Sequence, residues 1–550
     1  MDGTTTKRGY RDLQEHITAL EEAGLLYRID REIDKDRIMH PLVRWQFRGG
    51  LDEADRKAFL FTNIVDGKGR KYDIPVLVGG LAANRGVYCV GMRSSVEEIP
   101  GKWDNAIAHP IAPVVVEQGL CHEVVLTGKD LQGEGKGLAM LPIPVSTPGF
   151  DSTPTLSATN VVTKDPDSGR QNMGTYRAGL KSCDRLVVRM ATRIGGAGGY
   201  QHYLKYKKRG EPMPCAIVLG CPPAVAFQGP QKLPLDMDEV AVAGGLVGEP
   251  IAMVKAKTVD LMVPAEAELV IEGMIDTEYL EPEAPFGESH GHVALEEFNM
   301  PMTVTAITHR KNPVIPSYIS QVAPSESSVI KRVAYEPLFL AHLKDHLGIK
   351  GVTKVSLHEP LSGLLRVTFV TIARGTPRTE IWRALYGAAS FKGDCSKITM
   401  AIDEDIDADD AHSVLWALAY RHNPSEDVKI LPHRGQGHGP KRETHGEEDS
   451  TLLIDATMKS DMPPVALPAK EYMEEAKVVW EELGLPALRP ETPWHGYTLG
   501  DWIDEWDQAA KRAVAGDWQE NGRISLQHRR KGLVPETKFR PDQPGGGVEE

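Results

Sequence analysis

The chain is short of the features that would tie it to a nucleic acid, a membrane or an oxidising compartment. Basic residues number 63 against 77 acidic ones, a formal net charge of −14. An acidic total of that size argues against nonspecific attraction to phosphate backbones or anionic lipid surfaces. No uninterrupted apolar run approaches the ~20 residues that a membrane span requires. The opening MDGTTTKRGYRDLQEH lacks the apolar core of a signal peptide. Six cysteines, at 89, 121, 183, 215, 221 and 395, form no CxxC pair, so neither a disulfide framework nor a zinc knuckle is indicated. Internal repeats are missing too. What is left is an ordinary composition, 41% hydrophobic and 25% charged. At ~150 residues per domain, 550 residues are too many for one core. The expectation is a cytoplasmic, multidomain enzyme.

Local pattern divides the chain. Asp12 to Glu22 has helical spacing and stops at Gly24, and Leu25 to Ile29 reads as a strand. Proline and glycine then punctuate the region up to Pro148 so densely that only short elements fit. From Ser157 to Arg310 strands dominate: Ala158 to Thr163, Leu186 to Thr192, Cys215 to Leu219, Leu269 to Ile275 and Met302 to His309. The turn Asp165 to Gly169 predicts a hairpin. Many short strands with few helices suggest a barrel or sandwich. Ser325 to Leu347 predicts a long connecting helix, bent at Pro337. Beyond it, strands at Val352 to Leu357, Leu364 to Ile372 and Lys397 to Ile402 alternate with helices at Thr379 to Ala389 and Asp409 to Tyr420, an α/β sandwich. Pro432 to Ser450 reads as a mobile loop, and the final residues as a disordered tail.

Two stretches carry chemistry. In Glu283-Ala-Pro-Phe-Gly-Glu288, Pro285 and Gly287 prevent a regular helix, so the two carboxylates sit on a turn. Two carboxylates held together do not both ionise easily; one can deliver a proton while the other needs a cation. Taken alone, the stretch also reads as a solvated acidic turn, with Glu278 and Glu281 close by. In Asn172-Met-Gly-Thr-Tyr-Arg177, strand alternation puts Asn172 and Arg177 on opposite faces, so a bulge or bend at Gly174 is needed to bring both into one site. An ordinary exposed polar pair is the alternative.

Together these stretches resemble the UbiD family of prenylated-flavin-dependent (de)carboxylases, from about Tyr10 to about Lys459. The N-x-x-x-x-R element at Asn172 and Arg177 is followed by Val218 to Ala224, Glu239 ahead of Ala243 to Glu249, Asp260 to Ala265, Glu272-Gly273, and the E-x-P-[FY]-G-E element at Glu283 to Glu288. The resemblance implies an α+β fold: a split β-barrel flavin-binding domain joined by a long helix to a C-terminal α/β oligomerisation domain. The expected organisation is an N-terminal α/β segment over 1–120, the flavin domain over 121–324, the connecting helix over 325–348, the C-terminal domain over 349–490 and an extension over 491–550 that ends in disorder.

The implied chemistry is decarboxylation of an aromatic acid through a covalent adduct with prenylated FMN. Such a cofactor removes the electrons that would otherwise be stranded on an sp2 carbon. By position, Arg177 and Glu283 form an ion pair over the flavin, and Glu288 protonates the carbon that loses carbon dioxide. Asn172, Met173, Thr175, Arg177, Arg193, Glu239 and Lys397 are implied cofactor contacts, Lys397 on the phosphate. In the family an Asn, a His and a Glu hold a divalent metal (Mn, Mg or Fe). Asn172 and Glu239 fit, but Arg193 stands where the His belongs, and arginine does not ligate metals. The expectation is that Arg193 meets the phosphate directly, with the divalent ion weak or replaced by K+; His202 is a substitute ligand if the loop is shifted. Gly195 to Tyr200 fits no nucleotide-binding motif and reads as a flexible turn near the flavin, and His290-Gly-His292 lacks metalloenzyme spacing.

Substrates implied by the resemblance are cinnamic, benzoic and heteroaromatic acids, polyprenyl hydroxybenzoates and, in one branch, phthaloyl-CoA. Local basic clusters at His433 to His438 with Lys441 and Arg442, and at His528 to Lys531, suit coenzyme A phosphates or a solvated loop and tail. A flavin prenyltransferase is the implied supplier of cofactor, and a homodimer or homohexamer the implied assembly, with no nucleic acid or membrane partner. A non-catalytic or assembly subunit of a larger carboxylase, or a flavin-carrying chaperone, is the alternative; retention of Arg177, Glu283 and Glu288 argues against a silent subunit.

Overall fold

The computed structural model describes residues 9–192, 197–230, 233, 237–283, 285–289, 291–295, 297–358, 365–392, 396–435, 448–459, 462–498, 500–529, 534 and 539–542. At the N-terminal end the helix Leu13–Glu22 is capped by Asp12, whose side chain accepts from the Glu15 N–H at 2.8 Å. Its apolar stripe of Leu13, Ile17 and Leu20 is buried on a four-stranded sheet. That sheet runs Leu26–Ile29, Ala58–Phe61, Val76–Val78 and Ile315–Ser317. Its last strand comes from far along the chain, so the N-terminal segment is sewn to the residues just beyond the central sheet. As the punctuation implied, the helices here are short: His40–Arg48, Arg85–Met92 and Ile99–Ala108.

The middle of the chain forms a ten-stranded sheet. Its main path runs Gln171–Gly174, Thr159–Lys164, Met213–Leu219, Leu269–Ile275, Phe298–His309, Arg185–Val188, Ala178–Ser182 and Thr155–Leu156. Neighbours along it are antiparallel. The predicted hairpin is present, with Thr163 opposite Asn172. A register shift at Glu272/Gly273 bends the centre, and a side chain at Gly273 would lie 2.2 Å from the Thr303 carbonyl, a place for glycine alone. One connection sets the shape. Gly174 ends one edge strand and Ala178 opens a strand near the other edge, with only residues 175–177 between them. Those few residues reach at most ~15 Å, so the sheet is strongly curled and its two ends approach along that seam.

The strand expected to run to Thr192 stops at Val188. Arg189 extends the pairing by one step, its N–H donating to the Arg177 carbonyl at 3.0 Å, the next pair in register after Ala178 and Val188.

Ser325 caps the connecting helix in a capping box, and the α-helix runs Glu326–Ala341 with Pro337 inside it. A π-helical turn, His342–His346, follows where the sequence suggested continuing helix. The C-terminal sheet has the order Val352–Leu357, Val367–Ile372, Ile398–Asp403, Glu448–Asp455 and Val428–Gly435. The helix Arg378–Ser390 covers one face with the connecting helix, and Ala411–Tyr420 covers the other. Alternation accounts for this: Val370 and Ala401 point to the first face, Phe369, Met400 and Ile402 to the second. The expected loop from Pro432 to Ser450 needs correction at both ends. Residues 432–435 and 448–450 continue a strand pair, with Arg434 opposite Asp449. It is an edge pair with mostly exposed polar positions, so it carries no apolar alternation to read. The helices Lys470–Glu482, Asp504–Val514 and Trp518–Gln527 come last, none with a buried residue. Most of the expected tail beyond them lies outside the described residues. No helix among the described residues is long and apolar enough to cross a membrane.

Candidate active site

The seam is where the acid-base residues meet. Because the strand ends at Gly174, Arg177 is released from strict alternation. A side chain at Gly174 would lie 2.4 Å from the Tyr176 ring, so glycine is what lets Tyr176 fold back. Arg177 Nε donates to Glu283 Oε1 at 2.5 Å and Nη2 to Glu283 Oε2 at 3.0 Å, while Nη1 donates to Glu288 Oε1. The guanidinium lies 4.7 Å from the Phe286 ring centre. Glu283 and Glu288 are 4% and 9% exposed. One buried arginine therefore holds both carboxylates, in the two-point geometry that guanidinium favours. Burial lowers the Arg177 pKa, an effect that the bond to Glu283 opposes and the nearby Arg189 reinforces.

The turn that delivers the carboxylates is itself fixed. Asp151 accepts from the Gly287 N–H at 2.9 Å and the Thr147 N–H at 2.8 Å, and burial raises its pKa. A side chain at Gly287 would meet Thr147 Oγ1 at 2.2 Å. Asn299 Nδ2 donates to Glu283 Oε2 at 3.2 Å.

Arg189 is the residue that sequence reasoning missed. It lies 3.7 Å from both Glu283 and Glu288 and 3.5 Å from Glu297. Only its place at the end of a strand expected to continue could have hinted at it.

Asn172 and Glu239 meet on the neighbouring side of the seam. Glu239 opens the helix Glu239–Val247, whose cap, Asp238, accepts from the Val240 N–H at 2.9 Å. Burial pushes the Glu239 carboxyl up to about 7. The Asn172 amide end is 3.3 Å from Glu239 Oε1, with the amide nitrogen turned to the carboxylate and the oxygen accepting from the Met173 N–H. A cation there would draw the amide oxygen round beside the carboxylate. The helix Gly198–Arg209 starts against this pair, since a side chain at Gly198 would lie 1.9 Å from the end of the Asn172 amide. Gly199 N–H donates to Tyr176 Oη at 3.3 Å. A helix N-terminus offers positive potential to a phosphate. Thr175 Oγ1 is buried with no hydrogen-bond partner among the described residues. A cavity of about 230 Å³ opens here, lined by Arg170, Asn172, Met173, Asp238, Glu239 and Met253 among others. The residues thus suit a phosphate-bearing cofactor with a cation beside it.

His202 and Lys397 have protein partners, and others of the expected residues are not described. Among the described residues no three His, Cys, Asp or Glu side chains cluster to hold a metal. His202 Nδ1 is 2.9 Å from Thr163 Oγ1, the cross-strand neighbour of Asn172. Lys397 lies at the start of a C-terminal strand with its ammonium on Asp449. Arg193, His290, Lys441 and Arg442 lie outside the described residues.

A buried arginine between two carboxylates and a recess lined by Asn172 and Glu239 are thus brought together on the seam. Residues 114–322 match the 3-octaprenyl-4-hydroxybenzoate carboxy-lyase Rift-related domain, and residues 329–456 match the C-terminal domain of the same family. Together they span more than half of the chain, and it belongs to the UbiD carboxy-lyase family. The UbiD-class enzyme HmfF from Pelotomaculum thermopropionicum, solved in complex with FMN, is similar over 85% of this chain and 99% of its own, at 27% identity and a TM-score of 0.73. Its evolved dimeric form, solved with prFMN, is 28% identical, covering 82% and 95% with a TM-score of 0.69. The apo 3,4-dihydroxybenzoic acid decarboxylase of Enterobacter cloacae shares the fold at 21% identity, covering 82% and 94% with a TM-score of 0.72.

Proposed function

We propose that the protein catalyses the reversible, non-oxidative decarboxylation of an aromatic carboxylic acid with prenylated FMN as cofactor. The observation that carries this reading is the clamp of Arg177 on Glu283 and Glu288, set on the seam beside Asn172 and Glu239. When bound, the cofactor supplies the electron sink that lets an aryl–carboxylate bond break without leaving charge on the ring. Asn172, Met173, Thr175 and Arg193 would hold it, with Lys397 on its phosphate and a cation at Asn172 and Glu239.

Arg177 would orient the substrate carboxylate, since a guanidinium offers more donors than Glu283 alone uses. Glu288 would protonate the vacated carbon. Its bond to Arg177 keeps it aimed between turnovers, and a proton donor must stand within hydrogen-bond reach of the atom it serves. Glu283 would keep Arg177 in place, with Asn299 holding Glu283. Low exposure excludes bulk water from competing for the proton position. Residues 121–324 would form a split-barrel flavin domain, 349–490 an oligomerising unit, and a free aryl acid or its CoA thioester the substrate.

The test is co-expression with a flavin prenyltransferase and purification without oxygen. Prenylated FMN bound at about one per chain, with carbon dioxide released from a panel of aryl acids and their CoA esters, is the expected result. Loaded protein that exchanges no labelled carbon dioxide with any of them would overturn the reading.

A further inference from the structure

Glu288 is held at its tip by Arg177, whose Nη1 donates to Glu288 Oε1. A substrate carboxylate calls on N–H groups of that same guanidinium. Once they turn to the substrate, the place of Glu288 depends on its backbone. That backbone ends a short hairpin, in which Phe286 lies opposite Ala294 and Gly287 opposite Val293, and the Glu288 N–H donates to the His292 carbonyl at 3.0 Å. Two paired residues on each side are too few to hold themselves rigid in water.

The outer edge of the hairpin is held from elsewhere in the chain. The Gly287 N–H donates to Asp151 Oδ1 at 2.9 Å, across 136 positions of sequence. A backbone N–H on a carboxylate is a charge-assisted bond, roughly twice as strong as a neutral one. Asp151 is fixed by its own turn. Its Oδ2 accepts from the Thr147 N–H at 2.8 Å, and the Phe150 and Asp151 N–H groups both donate to the Thr147 carbonyl at 3.0 Å. The turn closes through Gly149 at φ +95°, a conformation open to glycine. Thr147 also packs on Gly287, where a side chain would lie 2.2 Å from its Oγ1. Gln321 Nε2 secures Thr147 in turn, donating to that Oγ1 at 2.9 Å and to the Ser146 carbonyl at 2.7 Å. The same segment runs on into Thr155–Leu156, which pairs with Gly179 and Ala178, the strand that opens directly after Arg177. Residues 147–156 therefore brace the arginine's strand at one end and the acid's turn at the other.

We propose that Asp151 is a positioning residue for the proton donor: by holding the Gly287 N–H it keeps Glu288 within reach of the vacated ring carbon while Arg177 is engaged with substrate. This rests on the decarboxylase reading of the same site. In the reaction it serves, the aryl–carboxylate bond breaks, carbon dioxide leaves and the bonding pair passes to the cofactor. The pair returns to carbon as the Glu288 O–H bond breaks and the new C–H bond forms. Asp151 acts through Gly287 and delivers no proton itself.

Two exchange reactions of the prenylated-FMN enzyme separate placing the acid from the rest of catalysis. Entry of labelled carbon dioxide into the substrate breaks and reforms only the aryl–carboxylate bond, whereas entry of deuterium from D2O into the product arene requires Glu288. Asp151→Ala is expected to slow deuterium entry by about 10- to 100-fold and to leave carbon dioxide exchange and KM near the wild type's. Asp151→Asn, of the same shape and with one acceptor oxygen left, should recover part of the loss. A circular-dichroism melt confirms that each variant is folded. Independently of turnover, hydrogen-exchange mass spectrometry on the full chain should show the Gly287 amide exchanging about tenfold faster in Asp151→Ala. Equal loss of both exchange reactions overturns the proposal, since Asp151 would then support the site in general. Unchanged deuterium entry overturns it too, since Glu288 would be placed without Asp151. If the loaded wild type exchanges carbon dioxide with no aryl acid, the function falls and the Gly287 amide decides the tether alone: faster exchange in Asp151→Ala sustains it, and unchanged exchange overturns it.

Discussion

Arg177 and Arg421 each sit between two carboxylates, and they end in opposite electrostatic states. Arg421 caps the helix Ala411–Tyr420 and donates to Asp403 at 2.7 Å and to Asp405 at 2.7 and 2.5 Å. It is 1% exposed, and its guanidinium lies 4.8 Å from the Trp416 ring centre. Burial works against its charge, yet the two aspartates outweigh burial and raise its pKa. Arg177 has the same kind of partners, but burial and Arg189 together leave its pKa lowered. The first triad stands where a strand and a helix end, with Asp403 also accepting from the Met458 N–H at 2.7 Å; a single cation serves both acids. The second hangs on a seam and a Pro-Gly turn, with two arginines sharing the acids. One arginine serving two acids is a fastener, whereas two arginines on Glu283 and Glu288 balance those acids and leave guanidinium N–H groups for a further anion.

Removing a member of each triad should separate the two roles. Glu288→Gln is expected to lower turnover by about 10²–10⁴-fold while the melting temperature stays near the wild type's, as steady-state kinetics and a thermal melt would show. Arg421→Ala should do the reverse. Leaving two buried aspartates unpaired costs roughly 3–5 kcal/mol, measured by urea unfolding, while turnover per folded molecule is retained. Comparable loss of stability in both variants would erase the distinction. Arg189→Met should be milder, lowering kcat/KM by about tenfold, or ~1.4 kcal/mol, because Arg177 keeps its direct bonds.

Glu326 marks the other limit, a fully buried carboxyl held by backbone N–H groups of Leu81 at 3.1 Å, Ala82 at 3.3 Å and Ile319 at 3.3 Å. Burial pushes it up to about 7 from an ordinary 4.5. Between those values the unfolded chain releases the proton and the folded one keeps it, so this group's contribution to stability falls as pH rises from 4.5 to 7. Glu326→Gln should flatten that part of the urea midpoint against pH; an unchanged slope would assign it to other groups.

Much of this was legible locally. The hairpin at Asp165 to Gly169, the interruption at Gly174, the turn at Pro285 and Gly287, and the strand alternation around Phe369 and Val370 all arise from backbone geometry and side-chain period, which act over a few residues. The edge pair around Arg434 and Asp449 was not legible, because an exposed strand has no apolar face to show. Arg189 was hidden for a different reason: its partners Glu283, Glu288 and Glu297 are about a hundred positions away, and nothing near it names them.

The family, the residue types that hold an acid-base site, and the places where the backbone must turn were already set in the linear chain, since motif order and glycine or proline chemistry need no folding to exist. Only folding made residues 175–177 join the two ends of a curled sheet, gave the acids a second arginine, and brought Asp151 to the Gly287 N–H from another part of the chain. Those are long-range contacts, chosen by how the sheet closes, and no local pattern encodes them.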